Sequence, residues 1–139
     1  SPLEAVELCR LWHAVLQKMQ FGGIVVIAVM HGAVLGGGLE VASAAHIRIA
    51  EENAFFGLPE AQRGIFVGGG ATVRVGKVIG AGRMTEMMLT GRTFTASEAF
   101  QLGIAHHVVP SGTGLAKAQE IAGIVADVGV AVATADSCA

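Results

Sequence analysis

Two glycine triplets, Gly36–Gly38 and Gly68–Gly70, are the segments of this 139-residue chain best suited to present backbone N–H groups to a bound molecule. Glycine has no Cβ, so a ligand can approach its backbone closely. An N–H at the start of a helix has no partner within that helix, and it carries positive partial charge. Such a donor can stabilise an oxyanion. The ordinary alternative is that the triplets only allow strands and helices to pack closely.

Two glutamates accompany these loops. Glu40 follows the first triplet and Glu60 follows Pro59. A glutamate in the first turn of a helix is more often a solvent-exposed charge than a catalytic group, because the helix dipole favours an anion there. The same reasoning applies to Glu60. Taken singly, each glutamate therefore leaves a structural and a catalytic interpretation open.

The two glycine triplets do not match the phosphate-binding motifs. A P-loop requires G-x-x-x-x-G-K-[ST], but Ala71 stands at its first glycine position and Val78 at its Ser or Thr position. The dinucleotide fingerprint G-x-G-x-x-G fails at both triplets, since Val41 and Val73 replace its last glycine. A nucleotide-binding module is therefore disfavoured.

The composition points to an extensive apolar surface. Hydrophobic residues make up 53% of the chain and charged residues only 14%, against about 25% charged in a typical soluble domain. We expect an apolar face that is covered either by other subunits or by a segment outside this sequence. The net charge of −2 and the lack of a basic run argue against nucleic acid as a partner.

Cysteine, histidine and hydropathy patterns argue for a cytoplasmic protein without metal. Cys9 and Cys138 lie at opposite ends and fit no disulfide framework or metal spacing, and the five histidines show no ligand spacing either. Few cysteines are typical of a reducing compartment. The strongest apolar run, Ile24–Met30, is far shorter than the ~20 residues that cross a bilayer, so no membrane association is expected.

The elements that would position the glycine loops alternate between strands and helices. Apolar and β-branched runs predict strands at Ile24–Met30 (buried on both faces), Ile47–Ala50, Ala54–Gly57 and Ile104–Val109. Helical spacing and caps predict helices from Pro2 to Gly22, over 39–45, up to about Ile79, over Arg83–Leu89, from Thr95 to Gly103 and from Leu115 onward. This alternation indicates an α/β domain, and residues 1–139 contain no linker that would divide it.

The segment His31–Glu40, HGAVLGGGLE, resembles the turn, glycine triplet and glutamate of the crotonase superfamily, the enoyl-CoA hydratase/isomerase family. Further blocks follow at the family's spacing, namely IRIA at 47–50, FGLPE at 56–60, LTGR at 89–92 and VVP at 108–110. The resemblance covers roughly residues 2–125. It implies a crotonase-like spiral of repeated ββα units that is incomplete, because the family's N-terminal part, with one of two oxyanion-hole amides, would be absent.

The resemblance implies hydration of the α,β double bond of an enoyl-CoA thioester. Gly37 would supply the second amide of an oxyanion hole for the enolate, and Gly68 would hold the water. Glu40 would orient that water as a base, and Glu60 would deliver the proton to the α-carbon. Substrate-binding residues implied in the same way are Leu35, Gly36, Gly37, Pro59 and Gly64.

The same resemblance implies an acyl-CoA substrate, no cofactor apart from the coenzyme A of that substrate, and a homo-oligomer, either a trimer or a hexamer. Other crotonase-type reactions stay open, among them isomerases, lyases and thioester hydrolases. Gly68, in place of an acidic residue, disfavours the dienoyl-CoA isomerases. A second hypothesis is a noncatalytic folding or assembly unit, motivated by the apolar composition and the missing oxyanion partner.

Overall fold

The computed structural model describes residues 1–135, so Cys138 lies outside the described residues. The α-helices are α1 Pro2–Phe21, α2 Gly37–Ser43, α3 Ala71–Ile79, α4 Ala81–Thr90, α5 Ala96–Gln101 and α6 Gly114–Ala135. The strands are β1 Ile27–Met30, β2 Ala33–Leu35, β3 Ile47–Glu51, β4 Phe55–Gly57, β5 Phe94–Thr95 and β6 His107–Val109. A short 3₁₀ helix covers Ala61–Arg63.

The chain repeats a unit of two strands and a helix. The first unit is β1, β2 and α2, and the second is β3, β4 and α3. One three-stranded sheet has the order β1-β3-β6 and the other has the order β2-β4-β5. The β1–β3, β3–β6 and β2–β4 pairs are parallel, whereas β5 runs antiparallel to β4. Each repeat therefore adds one strand to each sheet.

The parallel pairing of β2 with β4 brings the two functional loops together. Leu35 pairs with Gly57 at the last position of both strands. The Gly36 N–H then donates a hydrogen bond to the Gly57 carbonyl over 2.9 Å. The first glycine triplet and the segment that leads to Glu60 consequently leave the sheet side by side.

A cluster of apolar side chains from both sheets and from helices α2 to α5 forms the core. Its fully buried members include Phe56, Leu39, Leu58, Val75, Met87 and Ile104. The predicted capping box is present at Thr95, whose side chain accepts a hydrogen bond from the Glu98 N–H while the Glu98 side chain binds the Thr95 N–H. Gly91 ends α4 in the left-handed region with φ of 68°, as its position in the pattern predicts.

Three strands are shorter than predicted, among them β4, which begins at Phe55 and not at Ala54, and two strands were not predicted. Residues 24–26 do not belong to β1, because the His46 ring and backbone take both hydrogen-bonding groups of Val26. Strand β1 is also not buried on both faces, since only Met30 is fully buried. Strand β6 begins at His107 and not at Ile104. Strands β2 and β5 have three and two residues, too few for a periodic signal.

Helix α1 carries much of the exposed apolar surface that the composition predicts. It contributes only Leu16 to the buried interior. The exposed apolar side chains of this helix are Leu3, Val6, Leu8, Leu11, Val15 and Phe21. The predicted helix therefore forms, but most of its apolar side chains are not covered by other described residues.

The adjacent phenylalanines of β4 provide a matched test of the core. We expect Phe56→Ala to lower the free energy of unfolding by about 3–5 kcal/mol, because the fully buried ring leaves a cavity. The control Phe55→Ala should cost about 1 kcal/mol or less, since that side chain is 40% exposed. Urea denaturation measures both. Equal losses for the two variants would contradict the described orientation of β4.

Candidate active site

Gly36 and Glu60 face each other where β2 and β4 end. Gly36 has φ of 53° and ψ of −121°, a conformation that side chains rarely adopt. A Cβ at this position would lie 2.6 Å from Oε1 of Glu60. Glycine is therefore required at residue 36 both for the turn and for the approach of the second glutamate.

Glu40 is a buried carboxylate that joins the two glycine loops. It lies in the first turn of α2 and is only 4% exposed. Its Oε1 accepts hydrogen bonds from the N–H groups of Gly69 at 2.8 Å and Ala71 at 3.1 Å. Gly70, the N-cap of α3, offers no side chain for that purpose. Glu40 thus caps a helix other than its own, and the solvent-exposed interpretation is wrong for it.

The second oxygen of Glu40 faces Trp12 across Gly69. A Cβ at Gly69 would lie 2.0 Å from Oε2 of Glu40 and 2.2 Å from Nε1 of Trp12, so these two polar atoms are close neighbours. Both residues line a cavity of about 230 Å³, which we call the Glu40 cavity. Its lining residues are Leu8, Cys9, Trp12, Glu40, Gly68 and Gly69.

Glu60 has a different environment. It is 9% exposed, and its Oε2 is buried without a hydrogen-bond partner among the described residues. Burial raises the pKa of Glu60 above its ordinary value of 4.5, and the negative charge of Glu40 adds to that increase. The backbone N–H of Glu60 and the charge of Arg63 lower the pKa only in part. A carboxyl group in this position holds its proton more tightly than an exposed glutamate does.

Gly37 is the first residue of α2, so its N–H has no acceptor within the helix. No loop or side-chain hydrogen bond of residues 1–135 uses this N–H. Gly37 lies against the Trp12 ring, since a Cβ on Gly37 would be 3.6 Å from Cζ2 of Trp12. This amide therefore lies at a helix N-terminus next to Trp12, one of the residues that line the Glu40 cavity.

The remaining residues that the sequence singled out lie at different distances from this centre. Gly68 lines the Glu40 cavity. Leu35 and Pro59 are half-buried and flank Gly36 and Glu60 along the chain. Gly64 is exposed at the end of the 3₁₀ helix, with φ of 69°, and does not line the cavity. Their roles in binding substrate stay predictions.

Sequence reasoning missed Trp12, and it gave Gly69 no role of its own within the second triplet. Both lie at the centre of the site, one as a wall of the cavity and the other as a hydrogen-bond donor to Glu40. Trp12 belongs to a helix whose apolar residues share one spacing, so the pattern does not separate a site residue from its neighbours. Gly69 could have been found, because it is the middle residue of the second triplet.

Neither a metal cluster nor a membrane span is found in the part of the chain that the structure describes. Residues 1–135 contain no group of three or more His, Cys, Asp or Glu side chains placed to hold a metal ion. None of the helices over the same residues is both long enough and apolar enough to span a bilayer.

Comparisons with known proteins identify the family and the fold of the chain. The family model for enoyl-CoA hydratase/isomerase matches residues 7–135. YngF of Bacillus subtilis is 41% identical over 123 residues, which are 88% of this chain and 46% of that protein. The fatty acid oxidation complex subunit alpha of Shewanella loihica is 39% identical over 121 residues, or 86% and 17% of the two chains. An enoyl-CoA hydratase structure from Geobacillus kaustophilus superimposes with a TM-score of 0.91 at 32% identity, covering 96% of this chain and 51% of that one.

The repeated ββα units and these matches define a mixed α/β protein with the crotonase fold. The chain belongs to the enoyl-CoA hydratase/isomerase family. The family and the fold class that the sequence predicts are therefore confirmed. The chain spans about half the length of YngF and of the Geobacillus structure, and a smaller part of the fatty acid oxidation subunit.

Gly69 and Gly38 provide a matched test of the link between the loops. We expect Gly69→Ala to lower the free energy of unfolding by about 1–3 kcal/mol, because the added methyl collides with Glu40 and Trp12. The control Gly38→Ala meets no atom within 4 Å and lies in α2, so it should be neutral or stabilising by up to about 1 kcal/mol. Chemical denaturation measures both. A neutral Gly69→Ala would refute the close contact.

The environment of Glu60 predicts a pH-dependent gain in stability for Glu60→Gln. A raised folded-state pKa means that the folded state binds more protons than the unfolded state above pH 4.5, so Glu60 destabilises the protein as pH rises. We expect Glu60→Gln to be more stable than wild type at pH 7 and the difference to disappear below pH 4.5. Thermal melts between pH 4 and 8 measure this, with the exposed Glu52→Gln as control. A gain that is independent of pH would contradict the assignment.

Proposed function

We propose that the protein containing this chain adds water across the α,β double bond of an enoyl-CoA thioester. The observation that carries this proposal is the unequal environment of two glutamates. One lines the Glu40 cavity, and the other is near enough for the charge of the first to raise its pKa. Glu40 has one oxygen fixed by two backbone N–H groups and the other turned toward Trp12. Glu60 is desolvated and has a raised pKa. One carboxylate is thus suited to accept a proton and the other to donate one.

The proton transfers of hydration can be assigned to these two groups. Oε2 of Glu40 takes a proton from water as the water oxygen bonds to the β-carbon. The electrons of the double bond move onto the thioester oxygen, which gives an enolate. The carboxyl proton of Glu60 then passes to the α-carbon as the enolate electrons form the new C–H bond. After the product leaves, Glu40 releases its proton to bulk water and Glu60 takes one up, so both groups return to their starting states.

The enolate requires a positive field that is in place before the charge develops. The Gly37 N–H at the start of α2 supplies one such donor. Loss of one donor of this kind costs about 3–4 kcal/mol of transition-state stabilisation in other enzymes. Gly36 holds this amide in position, because its unusual backbone conformation turns the chain into α2.

The proposal also covers the substrate, the domain organisation and the assembly of the protein. The substrate is an acyl-CoA whose coenzyme A is the only cofactor-like group, and Leu8 and Cys9 offer the acyl tail an apolar wall. Residues 1–139 act as one domain. Assembly as a homo-oligomer is supported by the exposed apolar side chains of α1.

Hydration of crotonyl-CoA by the intact protein tests the proposal, followed by loss of the absorbance of the conjugated thioester. Glu40→Gln and Glu60→Gln should each lower kcat by about 100-fold or more, because general acid–base groups contribute at least that much. Gln at residue 40 keeps an oxygen for the two N–H donors, so the loss reflects the missing base and not a missing cap. Glu52→Gln, an exposed carboxylate outside the site, should retain wild-type activity.

Two results would overturn hydration as the function. One is a well-folded protein that isomerises a 3-enoyl-CoA but does not hydrate crotonyl-CoA, which would favour the isomerase alternative. The other is full hydration activity in both glutamine variants, which would remove the glutamates from the mechanism.

A further inference from the structure

The indole N–H of Trp12 is a buried donor without an assigned partner. Trp12 lies in α1, and its ring forms part of the wall of the Glu40 cavity. Nε1 has no hydrogen-bond partner among the described residues. A buried donor that stays unpaired costs about 1–3 kcal/mol, so an N–H retained at such a place requires an explanation. A phenyl ring would form the same apolar wall without that cost.

The position of this N–H relative to Glu40 gives the explanation. Nε1 of Trp12 and Oε2 of Glu40 both approach the position that a Cβ of Gly69 would occupy. They lie 2.2 Å and 2.0 Å from that position. Oε1 is occupied by two backbone N–H groups, whereas Oε2 has no hydrogen bond among the described residues. A donor and an acceptor therefore lie close together in the wall of one cavity, and the lack of a side chain at Gly69 lets both approach.

We propose that Trp12 is a further catalytic residue, whose indole N–H donates a hydrogen bond to the oxygen of the water that adds to the substrate. The inference rests on the proposed hydration and deepens it. A water oxygen can accept this hydrogen bond while one of its protons points to Oε2 of Glu40. The remaining lone pair is then directed away from α1, toward the β-carbon.

The hydrogen bond persists through the addition step, and no extra reactant is involved. The O–H bond that breaks is the one directed at Oε2, and its proton goes to Glu40. The new bond joins the water oxygen to the β-carbon. Trp12 neither gains nor loses a proton, so its contribution is to hold the oxygen in one orientation.

The test compares Trp12→Phe with wild type in crotonyl-CoA hydration. Phe keeps an aromatic wall and removes only the N–H, so we expect kcat to fall about tenfold, with KM within about twofold. Phe100→Leu is the control, because Phe100 is an aromatic residue of α5, is 53% exposed and does not line the Glu40 cavity. It should leave both constants unchanged. Circular dichroism and thermal melts establish that each variant is folded.

A second measurement isolates the fluorescence of Trp12, the single tryptophan among residues 1–139, as the difference between wild type and Trp12→Phe. Butyryl-CoA, a saturated thioester that cannot be hydrated, should change this difference signal with the same Kd that calorimetry gives. Unchanged fluorescence on saturation would place Trp12 away from the acyl site and overturn the inference.

The failures of the inference and of the proposed function are distinguishable. Wild-type hydration with an unchanged kcat in folded Trp12→Phe overturns the role of Trp12 and leaves the function in place. A rise in KM alone also overturns it, because that result would show a lining residue and not a donor to the water. Absence of hydration by wild-type protein overturns the proposed function itself.

Discussion

The pair of hydrogen bonds from the Gly69 and Ala71 N–H groups to Oε1 of Glu40 is the interaction on which the site depends. It joins the first turn of α2 to the start of α3, which are the helices of two successive ββα units. A buried carboxylate is costly unless its lone pairs are satisfied, and backbone donors at a helix start provide that compensation. The same bonds leave Oε2, the oxygen proposed to act as the base, facing Trp12. One interaction therefore links two repeats of the fold and orients this oxygen.

The parallel pairing of β2 and β4 explains why Glu60 lies near this centre although twenty residues separate it from Glu40 in the sequence. Strands that pair in parallel end at the same edge, so the loops that follow them are neighbours. Gly36 then allows the approach, because any Cβ would meet the Glu60 carboxyl. The glycines of the two triplets thus differ in why glycine is needed. Gly36 adopts a backbone conformation that other residues rarely adopt, whereas Gly69 leaves room for the side chains of Glu40 and Trp12.

Local patterns in the sequence predicted much of this arrangement. The α2 and α3 helices, the Thr95 capping box and the turn at Gly91 follow from local chemistry, and so they appear where expected. Family resemblance singled out Glu40, Gly37 and Glu60. Local patterns could not predict features that depend on residues far along the chain. These are the burial of both glutamates, the position of Trp12 in the wall of the cavity, and the bonding of Val26 to His46, which keeps residues 24–26 out of β1.

The two glutamates of the site have different surroundings. Glu40 is buried more deeply than Glu60, yet its oxygen Oε1 receives two N–H donors. Glu60 has an oxygen with no partner among residues 1–135 and faces the charge of Glu40. Burial therefore raises the pKa of Glu60, because too few donors replace the water that its carboxyl group has lost. The glycine loops supply two donors to Glu40, and so the backbone, more than any side chain, sets the difference in hydrogen bonding between the two glutamates.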